Sequence, residues 1–380
     1  MHQPILPGST LGMVGSGQLG RMFAMAAARM GYHVIVFASD TNDPAAQVAH
    51  DCVIGDLGDA EKLDSFAARC DAITLEFENI PAAAIERCSR HAPTFPSASV
   101  LATAQDRLVE KSTFRDAGLP VTPFAPVSDA ESLRQAGQTL GWPLIVKTAR
   151  SGYDGKGQFR VPSSSQADDV QWNTADAWIA EQFVPFEREV SVIVARTADG
   201  RDATFPLFEN THTNHILDTT LTPLQIDPSL EQRIHQIATQ AAEVIQLVGL
   251  MCVELFVCGD EVMINEVAPR PHNSGHVTIE ACQTCQYEQQ VRAVCGLPLG
   301  STELVAPVAG MANLLGDLWK DGNDPAWNAM LDVPGVSLHL YGKSQPIPGR
   351  KMGHLATTGS TRDEVVSRLK EARKRLTVGR

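Results

Sequence analysis

The sequence predicts an α/β protein that opens on a doubly wound parallel sheet and continues into mixed α+β units. Three observations carry this. Short apolar runs alternate with helical patterns through the first hundred residues. A glycine-bearing turn, GSGQLG at residues 15–20, links the first strand to the first helix. Beyond residue 187 the apolar runs become β-branched and are joined by brief turns at Asp199–Gly200 and Gly259–Asp260, as antiparallel strands are.

Taken in order, TLGMVG is a strand, QLGRMFAMAAARMG a helix, HVIVFAS a strand, DAEKLDSFAARC a helix and DAITLEF a strand. The rhythm breaks at APTFPSAS, residues 92–99, a boundary ahead of the helical QDRLVEKSTFRDAG. SDAESLRQAGQTLG then reads as a helix, WPLIVKTA as a strand and SGYDGKGQ as a glycine loop. After WIAEQFVP, the runs EREVSVIVART and DATFPLFEN read as an antiparallel strand pair. The helix SLEQRIHQIATQAAEVIQLVG leads to two more strands, MCVELFVC and EVMINEVA. In the tail TRDEVVSRLKEARKRL, Val365, Val366, Leu369, Ala372 and Leu376 fall at helical spacing, with the cations on a solvated face.

At 380 residues the chain exceeds what one core organises, so two or three domains are expected. A formal charge of −13 argues against a duplex nucleic-acid partner, whose affinity comes largely from lysine and arginine at phosphates. No apolar run reaches the roughly 18 residues of a membrane span, and MHQPILPGST lacks the basic-then-apolar order of a secretory signal. Eight cysteines in mostly apolar or helical segments suit a reducing cytoplasm, and the lone CxxC of Cys282 and Cys285 reads as packing.

The turn through Gly15, Gly17 and Gly20 admits three readings. It follows a strand, opens a helix and stands about twenty residues before Asp40, as a dinucleotide cradle does. It is equally a tight packing turn, or a helix N-terminus that seats a phosphate of the substrate. The last is preferred, because a hydride-transfer enzyme has no use for the second glycine loop and paired carboxylates found downstream.

Lys147 lies in an apolar strand, where an ammonium is costly unless it reaches an anion. The loop after it carries Gly152, Gly155 and Gly157 with Lys156, so its N–H groups can fold over phosphate oxygens without the Walker ending. Glu254 and Glu266 lie on neighbouring buried strands, where two carboxylates repel unless a divalent cation, magnesium for preference, lies between them; pairing of one with Arg270 is the alternative. APRPHNSGH then packs Arg270, His272, Asn273, Ser274 and His276 into one polar loop suited to an oxyanion.

These segments resemble the ATP-grasp ligases, and within them the family that carboxylates 5-aminoimidazole ribonucleotide (AIR). GSGQLGRM, TLEFENIP, SGYDGKGQ, EQFVPFEREVSV, FPLFENTH, INEVAPRPHNSGH and GRKMGHL stand in that family's order across roughly residues 10 to 356. The resemblance implies an ATP-grasp fold: a Rossmann-like domain at 1–105, a small α+β lid at 106–183, and a larger α+β domain at 184–380 with a C-terminal lobe from about 301.

It also implies the site. Arg107 and Lys147 would contact nucleotide phosphates, and Gly152, Tyr153, Asp154, Gly155, Lys156, Gly157 and Gln158 would close over them. Glu181, Gln182, Phe183 and Val184 would form the hinge that reads adenine, Glu189 would bind ribose, and His212 would lie near the nucleotide. Glu254 and Glu266, with Asn265 beside them, would hold Mg2+, and Arg270 and His272 would face bicarbonate and the carboxyphosphate made from it. Gln18, Leu19 and Glu76 would flank AIR, with Lys343, Arg350 and Lys351 near its phosphate. Asp154 would orient the AIR amine and take its proton. ATP and Mg2+ are thus the expected cofactors, AIR and bicarbonate the substrates, and a homodimer the assembly. The chain departs from the family at Ser16, Ala149 and Ser151, where glycine or a bulkier residue is usual. A formate-dependent glycinamide ribonucleotide transformylase is the alternative within the superfamily.

Overall fold

A computed structural model of the chain describes residues 3–150, 157–173, 177–319 and 323–377. Its amino-terminal sheet holds β1 (Thr10–Val14), β2 (His33–Ala38), β3 (Asp51–Ile54) and β4 (Ala72–Leu75), all parallel in the order β3-β2-β1-β4. The edge strand β3 is four residues long and only half-buried, too weak a pattern to read from sequence. The helix Gln18–Arg29 covers one face together with Tyr287 and Val291, while Phe66, Ile85 and Cys88 fill the other. Burial on both faces explains the near-continuous apolar runs of β1, β2 and β4.

A second sheet of antiparallel strands follows, β5 (Phe124–Val127), β6 (Leu144–Thr148), β7 (Gln158–Val161) and β8 (Trp178–Gln182), in the order β5-β8-β6-β7. Its helix Ala130–Leu140 starts at a capping box of Asp129 and Ser132. That helix packs so closely that a Cβ on Gly137 would lie 2.2 Å from the Trp142 ring.

The remaining nine strands form one sheet: β9 (Arg188–Arg196), β10 (Asp202–Thr204), β11 (Phe208–Thr213), β12 (Ile216–Thr222), β13 (Gly249–Cys258), β14 (Glu261–Ala268), β15 (Val308–Leu315), β16 (Val336–Leu340) and β17 (Lys351–Gly359). The order is β14-β13-β9-β11-β12-β15-β17-β16, with β10 on β9. Residues beyond 301 therefore continue the large sheet rather than building a separate one. Ile234, Ile237, Ala238 and Ala241 of the helix Pro228–Val244 pack on Val192, Met251 and Val253 to make the largest core.

Several boundaries differ from the sequence reading. DATFPLFEN is two strands, because Pro206 offers no N–H to a ladder; β10 pairs with the C-terminal half of β9 and β11 with its N-terminal half. QDRLVEKSTFRDAG is broken where Asp106 caps a new helix, Arg107–Asp116, by accepting from the N–H groups of Leu108 and Val109. The helix expected to reach residue 249 ends at Val244, followed by Gln246 at φ +55°. Cys282 and Cys285 lie between two helices and not on one helical turn, and all eight cysteines are free thiols. The terminal helix Arg362–Arg375 buries Val365, Leu369 and Ala372 as its spacing predicts.

Candidate active site

The three sheets meet around a cleft of about 960 Å³. Its wall from the first domain holds Gln18, Leu19 and Glu76, and its wall from the lid holds Lys147, Gln158, Glu181, Gln182, Phe183 and Val184. Arg107, Glu189, His212, Glu254, Asn265 and Glu266 line it from the helix Arg107–Asp116 and the large sheet, with Arg270, His272 and Lys351 beside them. Lys343 and Arg350 are absent from that wall, and Gly157 begins the described chain just outside it. Gly152, Tyr153, Asp154, Gly155 and Lys156 lie outside the described residues.

The glycine turn resolves differently from the preferred reading. Glu76, at the end of β4, points its carboxylate at the amino end of the helix Gln18–Arg29 and accepts from the N–H of Gly20 at 2.8 Å and from that of Gly17. A Cβ on Gly15 would lie 2.6 Å from Glu76, so the glycines are there to let this side chain in. The helix end that was to seat a phosphate is already satisfied by a protein carboxylate. Burial raises the pKa of Glu76, against the two N–H bonds and the positive field of Lys343 and Arg270. Ser16, one departure from the family, turns its hydroxyl away to Asp43 at 2.6 Å.

On the lid side, Lys147 donates to Glu181 at 2.9 Å. The other oxygen of Glu181 faces the ammonium of Lys111 at 3.4 Å, and Lys111 donates to the carbonyl of Asn265 at 2.8 Å. Burial alone would raise the Glu181 pKa; the two lysines outweigh it and hold the carboxyl at about 2. Lys111 and Glu110 escape the sequence reading because they share the buried face of their helix with Phe114, at 1–2% exposure, while the apolar Val109 is 44% exposed. Glu110 accepts from the N–H of Val267 at 3.3 Å, and burial followed by the Glu266 charge pushes its pKa to about 8.

Glu254 and Glu266 stand directly opposite on β13 and β14, and the ladder slips there so that Asn265 is the extra residue. Burial and then the neighbouring Glu254 raise the pKa of Glu266, whose side chain lines the cleft; Arg107 reaches it at 3.5 Å. The amide oxygen of Asn265 is buried without a hydrogen-bond partner among the described residues. Two opposed carboxylates and an unsatisfied carbonyl-type oxygen are a hard donor set, which suits an oxygen-seeking cation such as magnesium.

A hydrogen-bonded chain fixes His272. Its Nε2 meets Glu254 at 2.8 Å and its Nδ1 meets the Ser274 hydroxyl at 2.9 Å. Ser274 joins Ser191 at 2.8 Å, Asn210 donates to Ser191 at 2.8 Å, and Thr220 donates to Asn210 at 2.9 Å. Because Asn210 uses its NH2 on Ser191, the hydroxyls run toward His272, leaving Nδ1 as acceptor and the Nε2 proton on Glu254. Glu254 is held at about 2: burial opposes ionisation, and His272 first, then His212, overcome it. Arg270 forms a two-pronged pair with Glu78, one arm at 3.0 Å, and Glu78 is held at about 2 by that guanidinium against its own burial. Glu78 is a further residue that sequence reasoning quoted, within TLEFENIP, without giving it a role.

His212 pairs with Glu189 at 2.7 Å on adjacent strands, and this carboxylate raises the imidazole pKa against burial. Lys343 donates to the carbonyl of Lys351 at 2.7 Å, and burial, then Arg350, lowers its pKa to about 8.

Family models match the chain along its length: a Ribonucleotide synthetase preATP-grasp domain at residues 9–105, an ATP-grasp domain at 112–287, and a Phosphoribosylaminoimidazole carboxylase C-terminal domain at 309–368. The chain is 39% identical to the N5-carboxyaminoimidazole ribonucleotide synthase of Bacillus subtilis, covering 97% of this chain and 96% of that one. It spans 37% of the length of a longer relative, the bifunctional purine synthesis protein purC/E of Dictyostelium discoideum, also at 39% identity. A crystal structure of an N5-carboxyaminoimidazole ribonucleotide synthetase with ADP superposes with a TM-score of 0.91 at 38% identity, covering 98% of each chain. One from Aspergillus clavatus, with ADP and 5-aminoimidazole ribonucleotide, gives 0.86 at 28% identity over 97% of this chain and 98% of that one.

Proposed function

The chain belongs to the N5-carboxyaminoimidazole ribonucleotide synthase family of ATP-grasp ligases, and from that premise we propose how its own residues carry the reaction. The activity is ATP-dependent carboxylation of AIR in purine biosynthesis. The observation that carries the assignment of residues is that one cleft receives the Glu254–Glu266 pair, Lys147 and His272 together with Glu76 and Lys351.

Nucleotide enters between lid and large sheet, with Lys147 and Arg107 toward its phosphates, Glu181 to Val184 along the adenine, and Glu189 with His212 at the ribose. Glu254, Glu266 and Asn265 hold magnesium, which when bound supplies positive charge beside the phosphates. Lys147 supports the phosphoryl group as it moves onto bicarbonate, a transfer governed by position and charge. Arg270 exchanges Glu78 for the bicarbonate oxygens, since a guanidinium recognises both in the same planar fork.

AIR lies against Gln18, Leu19 and Glu76, with Lys351 on the opposite wall and Lys343 and Arg350 on the approach to its phosphate. After accepting from Gly17 and Gly20, Glu76 still has lone pairs that can accept from ribose hydroxyls. The amine attacks the activated carboxyl carbon, or the carbon dioxide released from it; the carbon–oxygen bond to phosphate breaks in either case, and Asp154 takes the amine proton, a role that rests on sequence alone. A homodimer in the cytoplasm completes the proposal.

The test is ADP release with ATP, magnesium and bicarbonate, with and without AIR, against formate plus glycinamide ribonucleotide. AIR-dependent release with an acid-labile carboxylated product supports the assignment. Release driven by the formate pair overturns it.

A further inference from the structure

We propose that Cys252, Glu254 and His272 form a binding site for a thiophilic divalent cation of the zinc class, and that this cation inhibits the enzyme by occupying Glu254 in place of the magnesium-bearing nucleotide. Cys252 and Glu254 are two residues apart on β13, so both side chains leave the same face of the sheet. His272 lies over that face on the loop after β14. The sulfur, one carboxylate oxygen and one imidazole nitrogen lie within 4.8 Å of one another, so shifts on the order of 1 Å bring all three to the bond lengths zinc requires.

The chemistry separates this site from the magnesium site it shares. Glu254 with Glu266 and Asn265 offers oxygen only; Glu254 with Cys252 and His272 offers sulfur, nitrogen and oxygen, a set that magnesium does not favour and zinc does. Three protein ligands leave a fourth position toward the cleft that Glu254 and His272 line. The hydroxyls of Ser191 and Ser274 stand beside the Cys252 sulfur, within reach of a metal-bound sulfur. On binding, the thiol proton passes to solvent, the metal takes the Nε2 lone pair, and the single imidazole proton, which Nε2 had shared with Glu254, moves to Nδ1, where the Ser274 oxygen accepts it in a hydrogen bond once its own hydroxyl has turned away.

Only the inhibitory half rests on Glu254 being a magnesium ligand, so the test reads binding and inhibition separately. The reduced full-length protein, free of nucleotide, is titrated with cobalt(II), a spectroscopic stand-in for zinc, and AIR-dependent ADP release is then measured over a zinc series. The expected result is a near-ultraviolet thiolate-to-cobalt band that zinc displaces and that Cys252→Ser and Cys252→Ala both lack. Half-inhibition of the wild type should occur at zinc concentrations at least about ten-fold lower than for Cys252→Ser, each scaled to its own zinc-free rate. A band of equal strength in the two variants, or none in the wild type, overturns the site. A band with no difference in inhibition overturns the competition with nucleotide. Absence of AIR-dependent release without zinc would count against the reaction assignment, and the cobalt spectrum would still decide the site.

Discussion

The Glu76 carboxylate caps the first helix, accepting from the backbone N–H of Gly20 at 2.8 Å and from that of Gly17. A pyrophosphate would need these same donors, so the glycine turn cannot serve a dinucleotide while Glu76 is in place. Calorimetry with NAD should therefore give no saturable heat, and saturable binding would contradict this placement. Glu76→Ala should lower unfolding free energy by about 1–2 kcal/mol through loss of a charge-assisted cap, and raise KM for AIR.

Glu181 offsets two ammonium groups at once, Lys147 at 2.9 Å and Lys111 at 3.4 Å. Removing it strands both in a buried setting. Glu181→Ala should cost about 3–5 kcal/mol in urea unfolding, more than Lys111→Met, which leaves Glu181 with Lys147. The reverse order would show that the pairs do not share one carboxylate.

Ser191 is fully buried and reaches His272 only through Ser274. Its truncation should free the imidazole to turn without touching the nucleotide wall. Ser191→Ala is expected to lower kcat roughly five- to ten-fold with KM for ATP nearly unchanged, as for a group that orients a catalytic side chain. A rise in KM for ATP with kcat intact would place the chain's effect on nucleotide binding instead.

Lys343 loses its proton at about 8, because burial and then Arg350 disfavour the cation. If Lys343 serves the AIR phosphate as proposed, its charge disappears as pH rises through that value, so KM for AIR should climb above about pH 8. Lys343→Arg, always protonated, should remove that limb. The linkage to stability has the opposite sense: between about 8 and 10.5 the unfolded chain holds more protons than the folded one, so this residue makes the fold more stable as pH rises. An unchanged KM profile in Lys343→Arg would separate Lys343 from the phosphate.

The sequence made the site legible where chemistry and pattern conflict openly. Lys147 in an apolar strand and two glutamates in buried strands call for a partner, and they face one cleft. It was silent where charge is neutralised inside the protein. Nothing in EKSTF distinguishes Lys111, buried on Glu181, from a solvated lysine, because its partner is 70 residues away in the chain. The glycine turn was misleading for a related reason: glycine marks a close approach, and Glu76, which makes that approach, comes from β4. In the fold, the strands beyond residue 301 went unread because their pairing in the large sheet depends on partners distant in sequence.

In the proposed reaction bicarbonate, held by Arg270 and His272, accepts the phosphoryl group before carbon reaches AIR. Bicarbonate freshly dissolved with heavy oxygen, mixed with enzyme, ATP, magnesium and AIR, tests this through the phosphate released. Phosphate carrying one heavy oxygen is predicted, because that oxygen attacks phosphorus and stays with it when the carbon–oxygen bond breaks. Phosphate without the label, formed alongside carboxylated AIR, would contradict the account.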